Sequence, residues 1–121
     1  MSQVQILNFC TITFYDGYML VVMNEGVSVT AKLQDVLVEK ALDYYHKKPF
    51  VYLTHRINSY SVDPSIYFET SKLETLAGFG VIAKDYKAKI NAEIEKLFLK
   101  KPFRIFEELD EAISWAKSLI E

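Results

Sequence analysis

The sequence predicts an α/β protein in which a mixed β-sheet is flanked by helices. Segments rich in β-branched and aromatic residues alternate with amphipathic segments of helical period along most of the 121 residues. Two β-rich segments near the N-terminus are joined by Asp16-Gly17, a dipeptide typical of a tight hairpin turn. The predicted element order is therefore β-β-α-β-α-β-α-β-α, which implies right-handed crossover connections between parallel strands.

Composition limits the classes of function. The length fits one domain over residues 1–121, and half of the residues are hydrophobic, enough for a sizeable core. A formal net charge of −2 argues against general nucleic-acid binding. The single cysteine, Cys10, lies in an apolar segment, so we expect a buried thiol and a reduced, cytoplasmic setting. We expect neither a membrane span nor a signal peptide, because no apolar segment is long enough and the N-terminus is not basic.

The N-terminal third is predicted to form a hairpin followed by a helix. The hairpin arms cover residues 3–15 and 18–24, and a change in the apolar alternation near Asn8 predicts a bend or bulge. Ser28 or Thr30 is expected to cap a helix that ends before Pro49. In this helix, residues 31–46, apolar side chains recur every three or four positions, which is typical of packing on a sheet. These side chains are Leu33, Val36, Leu37, Ala41, Tyr44 and Tyr45.

The central segment, residues 49–70, carries the best candidate for a site. It is predicted to contain a strand over 50–57, a polar loop and a helix over 64–75. Asp63-Pro64 is a strong helix start, because Asp can cap free N–H groups and Pro suits the first turn. A strand leading into a helix N-terminus is a common ligand-binding place in α/β proteins.

The helix over 64–75 is expected to turn one stripe inward and two aromatic residues outward. The inward stripe comprises Ile66, Thr70, Leu73 and Ala77, which leaves Tyr67 and Phe68 exposed beside the loop. The alternative is that these aromatic residues pack against a neighbouring element or subunit. The candidate partner surface or phospho-acceptor region comprises Asn58, Ser59, Tyr60, Ser61, Asp63, Ser65, Tyr67 and Phe68.

The C-terminal half is predicted to be strand, helix, strand, helix. A strand over 77–83 needs close packing around its glycines, Gly78 and Gly80, and Asp85 caps a helix over 86–99. The inward side chains of that helix are expected to be Ile90, Ile94, Leu97 and Phe98. Its charges are mixed in sign and are expected to form a solvated face, with a basic docking patch as the alternative. They are Lys84, Lys87, Lys89, Glu93, Glu95, Lys96, Lys100 and Lys101. A strand over 103–106 and a helix over 108–120 complete the chain.

This pattern resembles the STAS fold of anti-sigma-factor antagonists, in the SpoIIAA-like branch also grouped with SEC14-type lipid-binding domains. The resemblance is carried by the Asp16-Gly17 hairpin, by the strand VYLTHRINSYSV entering a helix, and by the ending FRIFEELDEAISWAKSL. Switched members of the family have an Asp-Ser-Ser-Gly motif between that strand and helix, and its serine is phosphorylated by a partner kinase. The corresponding region here retains Asp63 and Ser65 without the contiguous motif or its glycine. The resemblance implies Ser61 or Ser65 as a phospho-acceptor; the alternative is that Asp63 and Ser65 only cap and solvate the helix start.

The sequence gives little support for catalysis. His55 shares its strand parity with Val51 and Leu53, whereas Arg56 points the other way, so a packed, hydrogen-bonded His55 is favoured over a general base. Two isolated histidines and one distant cysteine do not form a zinc site, and no metal or cofactor is expected.

Three hypotheses of function follow. The first is a non-enzymatic interaction or regulatory module that acts through residues 58–68, with another protein or a second copy of the chain as partner. The second is a carrier of a small apolar ligand or lipid, motivated by the SEC14 resemblance and by eight Tyr and eight Phe residues. The third is an enzyme that uses His55, Arg56 and Ser61. A large dry cavity would favour the carrier, and a His55–Ser61 hydrogen bond in a cleft would favour the enzyme.

Overall fold

A six-stranded mixed sheet with helices on both faces forms the framework of the protein. The computed structural model describes residues 2–121. The strands are β1 (Gln3–Ile6), β2 (Cys10–Phe14), β3 (Tyr18–Met23), β4 (Ser28–Val29), β5 (Phe50–His55), β6 (Ser61–Val62), β7 (Leu76–Ile82) and β8 (Phe103–Phe106). The helices are α1 (Ala31–Tyr45), α2 (Ile66–Thr70), α3 (Tyr86–Lys96) and α4 (Leu109–Ile120).

The main sheet has the strand order β1-β2-β3-β5-β7-β8. The first three strands form an antiparallel meander, and β3, β5, β7 and β8 are parallel to one another. β4 and β6 pair in a separate two-stranded parallel sheet. The carboxyl ends of β5, β7 and β8 therefore meet at one edge, the position where open α/β sheets commonly bind ligands.

The core lies on both faces of the sheet. One apolar cluster joins the sheet to α1, α2 and α3, and the other joins it to α4 through Ala112 and Ala116. The α4 cluster requires glycine in β7, as predicted: a Cβ on Gly78 would lie 2.5 Å from Leu119 Cδ1. A Cβ on Gly80 would lie 2.6 Å from a methyl carbon of Leu53. These glycines let the helix approach the strand closely.

The first hairpin arm, predicted over residues 3–15, forms two strands, β1 and β2. The bend expected near Asn8 is a complete reversal, in which the Leu7 N–H donates to the Cys10 carbonyl at 2.8 Å and β1 folds back on β2. The observed order therefore has an additional N-terminal edge strand, and its Ile6 is exposed. The predicted burial of Cys10 is confirmed, as are the strand over 103–106 and the capping of α1 by Thr30.

The helix predicted over 64–75 is much shorter than expected. α2 ends at Thr70, whose Oγ1 donates to the Ile66 carbonyl, and the hydroxyl of Ser71 donates to the Tyr67 carbonyl in the same way. Side-chain hydroxyls that bond to carbonyls one turn back compete with the helical ladder. Leu73 and Ala77, predicted on the inward stripe of this helix, therefore lie beyond its end, and Ala77 lies on β7.

The predicted orientation of α3 is wrong. Asp85 caps the helix as expected, with its carboxylate accepting from the Ala88 N–H at 3.2 Å. Ala92 and Glu95 are buried, whereas three of the four apolar side chains that we expected inward face solvent. These exposed side chains are Ile90, Ile94 and Leu97. The fourth, Phe98, is half-buried and packs against the core.

Candidate functional site

The candidate site is a polar cleft at the carboxyl end of β5. It lies between the loop that follows β5 and the N-terminal half of α3, and it has a volume of about 370 Å³. Its lining residues are Glu25, Arg56, Ile57, Asn58, Ser59, Tyr60, Asp85, Lys87, Ala88 and Asn91. A second cleft of about 310 Å³ shares Arg56, Tyr60, Lys87 and Asn91 and extends to Ser61 and Pro64. Four of the eight predicted site residues, Asn58, Ser59, Tyr60 and Ser61, therefore border one polar region.

A buried ion pair between Arg56 and Glu95 forms the base of this region. Arg56 Nη1 and Nη2 lie 2.7 and 2.5 Å from the two carboxylate oxygens of Glu95, and the side chains are only 6% and 4% exposed. Burial is the largest single effect and would lower the pKa of Arg56. The hydrogen bonds to Glu95, together with the charge interactions with Tyr60, Glu95 and Tyr67, outweigh it and raise the pKa above its ordinary value. The guanidinium is therefore charged and committed to a bidentate pair.

Two tyrosines extend the ion pair. The Tyr67 hydroxyl donates to Glu95 Oε1 at 2.6 Å, while Arg56 Nε donates to the Tyr60 hydroxyl at 3.0 Å. Tyr60 also shares a hydrogen bond of 2.9 Å with the hydroxyl of Thr54. Burial, with a further contribution from Glu95, raises the pKa of Tyr67 well above its ordinary value. This polar network connects β5, the loop, α2 and α3, and it fixes their relative positions.

Further hydrogen bonds hold the loop that follows β5. The Asn58 side chain donates to the Met23 carbonyl at 2.9 Å, and the Ser59 N–H donates to the Glu25 carboxylate at 2.8 Å. The Ser61 N–H donates to the Val27 carbonyl at 3.0 Å within the small β4–β6 sheet. The loop is thus fixed at several points along its backbone, and its exposed side chains project from a defined position.

The predicted site residues fall into two groups. Ser59, Ser61, Asp63, Ser65 and Phe68 are exposed, and Asn58 and Tyr60 are half-buried. We call these seven residues the loop surface. Tyr67 does not belong to it: the prediction that Tyr67 is exposed is wrong, because its side chain is 2% exposed and is bonded to Glu95. The alternative, packing against a neighbouring element, is confirmed for Tyr67. Phe68 is 52% exposed, as predicted, and its ring contacts that of Phe98 edge-on at 5.6 Å.

Asp63 stabilises the turn before α2. Its Oδ1 accepts from the Ser65 N–H at 3.0 Å and from the Ser65 hydroxyl at 2.8 Å, which is the arrangement of an Asx turn. Ser65 occupies the N-cap position and makes no side-chain capping bond. Asp63 therefore does not occupy the N-cap position as expected. It lies two residues before the N-cap and holds the turn that leads into α2.

The residues proposed for an enzyme are separated. His55 is paired in register with Ile82 and lies on the α4 side of the sheet, whereas Arg56 lies on the opposite side with Tyr60. Burial, together with the nearby charge of Lys84, lowers the pKa of His55. The Ser61 hydroxyl donates to Ser28 Oγ at 3.2 Å. His55 and Ser61, the residues predicted as base and nucleophile, therefore have different neighbours.

The interior beside the polar network is filled with aromatic rings. Tyr52 and Phe103 stack on either side of Phe79 with centroid distances of 4.6 and 5.4 Å, and the Tyr67 ring contacts Phe79 edge-on at 5.3 Å. The space that reaches inward between these rings and β4 measures about 10 Å³. That is enough for roughly one water molecule and is far smaller than a lipid chain.

Glu95 is the site residue that the sequence analysis missed. We expected it on the solvated face of α3, because neighbouring residues are charged. A usable signal was present in the spacing of Ala88, Ala92, Glu95 and Leu99, which recur at intervals of four, three and four and define the inward face.

Comparison with known proteins identifies the fold. A scan against models of protein families finds no match, and a search of curated proteins finds none. Among solved structures, the chain is similar to an uncharacterised protein of the DUF3478 family from Shewanella loihica PV-4, which has a SpoIIAA-like fold. The two chains are 14% identical, with a TM-score of 0.56 over 96% of this chain and 92% of that one. The protein therefore has a SpoIIAA-like, STAS-type fold, as the resemblance implied, and at this identity the similarity shows the fold alone. None of the helices within residues 2–121 combines the length and apolar character needed to cross a bilayer.

Proposed function

We propose that the chain is a non-enzymatic interaction module of the STAS type that binds a protein partner through the loop surface. The observation that carries this proposal is that exposed polar side chains and an exposed Phe68 stand on a framework fixed by the buried Arg56–Glu95 pair. A pre-organised surface loses little conformational entropy on binding, and an exposed aromatic side chain is a typical centre of an interface. A partner would cover Phe68 and contact the serines beside it.

Regulation by phosphorylation is part of this proposal, with Ser61 favoured over Ser65. The Ser65 hydroxyl lies 2.8 Å from Asp63 Oδ1, so a phosphate on Ser65 would face a like charge. Ser61 borders the cleft that contains Lys87, whose charge favours an added negative group, whereas Arg56 in the same cleft is already paired with Glu95. A phosphate on Ser61 would change the charge at the centre of the loop surface.

The alternative of an apolar-ligand carrier has less support. Its motivation was the large number of aromatic residues, and the rings around Phe79 are packed against one another beside a space of only about 10 Å³. A ligand enclosed in this part of the core would require these rings to separate.

Site-specific photo-cross-linking in the native host tests the loop surface. A photoreactive phenylalanine analogue at position 68 should yield an adduct of defined mass, because Phe68 is central in the proposed interface. The matched control carries the analogue at Ile6, an exposed apolar position on the edge strand β1. The same adduct from both positions, or none from position 68, would contradict the proposal.

A further inference from the structure

The exposed face of α3 carries an apolar stripe, and only its residue Ile94 borders the clefts beside the loop surface. Tyr86, Ile90, Ile94 and the C-cap residue Leu97 follow one another at intervals of four, four and three residues, so they lie on one face of the helix. Their exposed fractions are 77%, 42%, 47% and 83%. Ala92 and Glu95, on the opposite face, are buried. We call these four exposed side chains the α3 stripe.

We propose that the α3 stripe binds a second copy of this chain, with the two helices antiparallel about a two-fold axis. The spacing of the stripe is nearly the same when it is read in reverse. An axis passing beside Asn91 and Ala92 places Ile90 against Ile94 of the second copy, and Tyr86 against its Leu97. A two-fold interface requires such a self-complementary surface, in which each contact occurs twice.

The charges beside the stripe are also complementary under this axis. Along one flank the signs alternate in the order Asp85, Lys89, Glu93, Lys96. Reversal of the helix places Lys89 opposite Glu93 of the second copy and, further out, Asp85 opposite its Lys96. Each pair therefore joins opposite charges, which favours the antiparallel arrangement. In the single chain Lys89 contacts Glu107, so Lys89 would bridge two carboxylates in the dimer.

The size of the stripe predicts a weak, reversible dimer. At the exposures given above, the four side chains present on the order of 500 Å² of apolar surface, the size of the largest patch on a typical monomer. Two copies would bury about 1,000 Å² in total, which is close to the lower limit for a specific interface. The dimer therefore should form at high micromolar concentration and dissociate on dilution.

Sedimentation velocity of the purified chain over a range of concentrations tests the proposal. We expect a reversible monomer–dimer equilibrium whose dissociation constant increases by about tenfold or more in Leu97→Glu. Ile6→Glu, which places the same charge on an equally exposed residue of β1, should leave the dissociation constant unchanged. Urea unfolding of both variants should match the unmodified chain, because both side chains are exposed.

Disulfide trapping tests the antiparallel geometry. An equimolar mixture of Ile90→Cys and Ile94→Cys chains should oxidise mainly to the mixed dimer, whereas Tyr86→Cys alone should cross-link poorly. The native Cys10 is fully buried and should not interfere.

Three results would overturn the proposal. They are a chain that stays monomeric up to millimolar concentration, a dimer that is insensitive to Leu97→Glu, and a preference for Ile90–Ile90 disulfides. Binding of a monomeric chain to phosphatidylglycerol vesicles through Leu97 would assign the α3 stripe to a membrane surface. The dimer experiments use the purified chain alone, so their failure would not affect the proposed partner at the loop surface. Failure of the photo-cross-linking at position 68 would, in turn, not affect the proposed dimer.

Discussion

Arg56 and Glu95 form a buried bidentate ion pair that ties the end of β5 to the inward face of α3. The two residues are 39 positions apart in the chain, and both side chains are almost fully shielded from solvent. Taking two charges out of water is costly, and the cost is offset here by a fork-to-carboxylate geometry and by additional bonds from Tyr60 and Tyr67. The pair defines the position of the loop surface relative to α3.

Removing either member of the pair should strongly destabilise the fold. Arg56→Met or Glu95→Met leaves one buried charge without a partner, and each should lower the free energy of unfolding by about 3–5 kcal/mol. The double variant should lose much less than the sum of the two single losses, because no unpaired charge remains. Urea unfolding of the four proteins measures this coupling, and additive losses would show that the pair does not act as a unit.

Tyr67 and Phe68 are adjacent aromatic residues whose substitution should change the stability of the fold by very different amounts. Tyr67→Phe removes a hydrogen bond to a buried carboxylate and should cost about 1.5–3 kcal/mol. Phe68→Ser alters an exposed side chain and should change stability by less than about 0.5 kcal/mol. Thermal and urea unfolding compare the two variants directly. A large loss in Phe68→Ser would place that ring in the core and remove it from the loop surface.

Gly80 should not tolerate even one additional methyl group. A Cβ there would lie 2.6 Å from a methyl carbon of Leu53 and 3.3 Å from the Trp115 ring, so Gly80→Ala should cost about 1–3 kcal/mol through overpacking. Leu53 is fully buried and has little freedom to move aside. In the double variant with Leu53→Ala, the second substitution vacates the space, and the combined loss of unfolding free energy should be smaller than the sum. A fully additive result would refute the close contact.

His55 should make stability depend on pH in the mildly acidic range. Burial and Lys84 lower the pKa of His55 in the native state, so the unfolded chain binds its proton more readily. The stability contributed by neutral His55 is therefore present above its ordinary pKa of 6.5 and is lost as the pH falls through the lowered native pKa. His55→Asn should show a smaller loss of unfolding free energy over this range. Identical pH profiles for the two proteins would exclude this contribution.

The sequence predicted the elements that are specified locally. The Asp16-Gly17 turn joins two paired strands, Asp85 caps α3, and the glycines of β7 lie where α4 approaches closely. Each of these features depends on residues within a few positions or on a backbone requirement that few residue types meet. The α/β class and the SpoIIAA-like fold follow from the order of such elements.

The failures arose where a distant partner decides the outcome. The hydrophobicity of Ile90 and Ile94 predicts that these residues face inward. In the structure Glu95 pairs with Arg56 on another element, so the face of α3 that carries Glu95 is buried instead. The sequence predicts an exposed Tyr67 because the residue lies off an inward stripe that includes Leu73 and Ala77, both beyond the end of α2. Only the structure shows Glu95 within reach of its hydroxyl. The spacing around Glu95 marks the inward face of α3, but a local pattern does not identify Arg56 as the charge that pairs with Glu95 there.

Native mass spectrometry of the protein purified from its own host tests most directly whether it works by surface contact and not by enclosing a ligand. We expect the native mass to correspond to the polypeptide alone, to its dimer, or to a complex with another protein that is weakened by Phe68→Ser. A stoichiometric small apolar molecule that is present in the native mass and lost on denaturation would contradict this account.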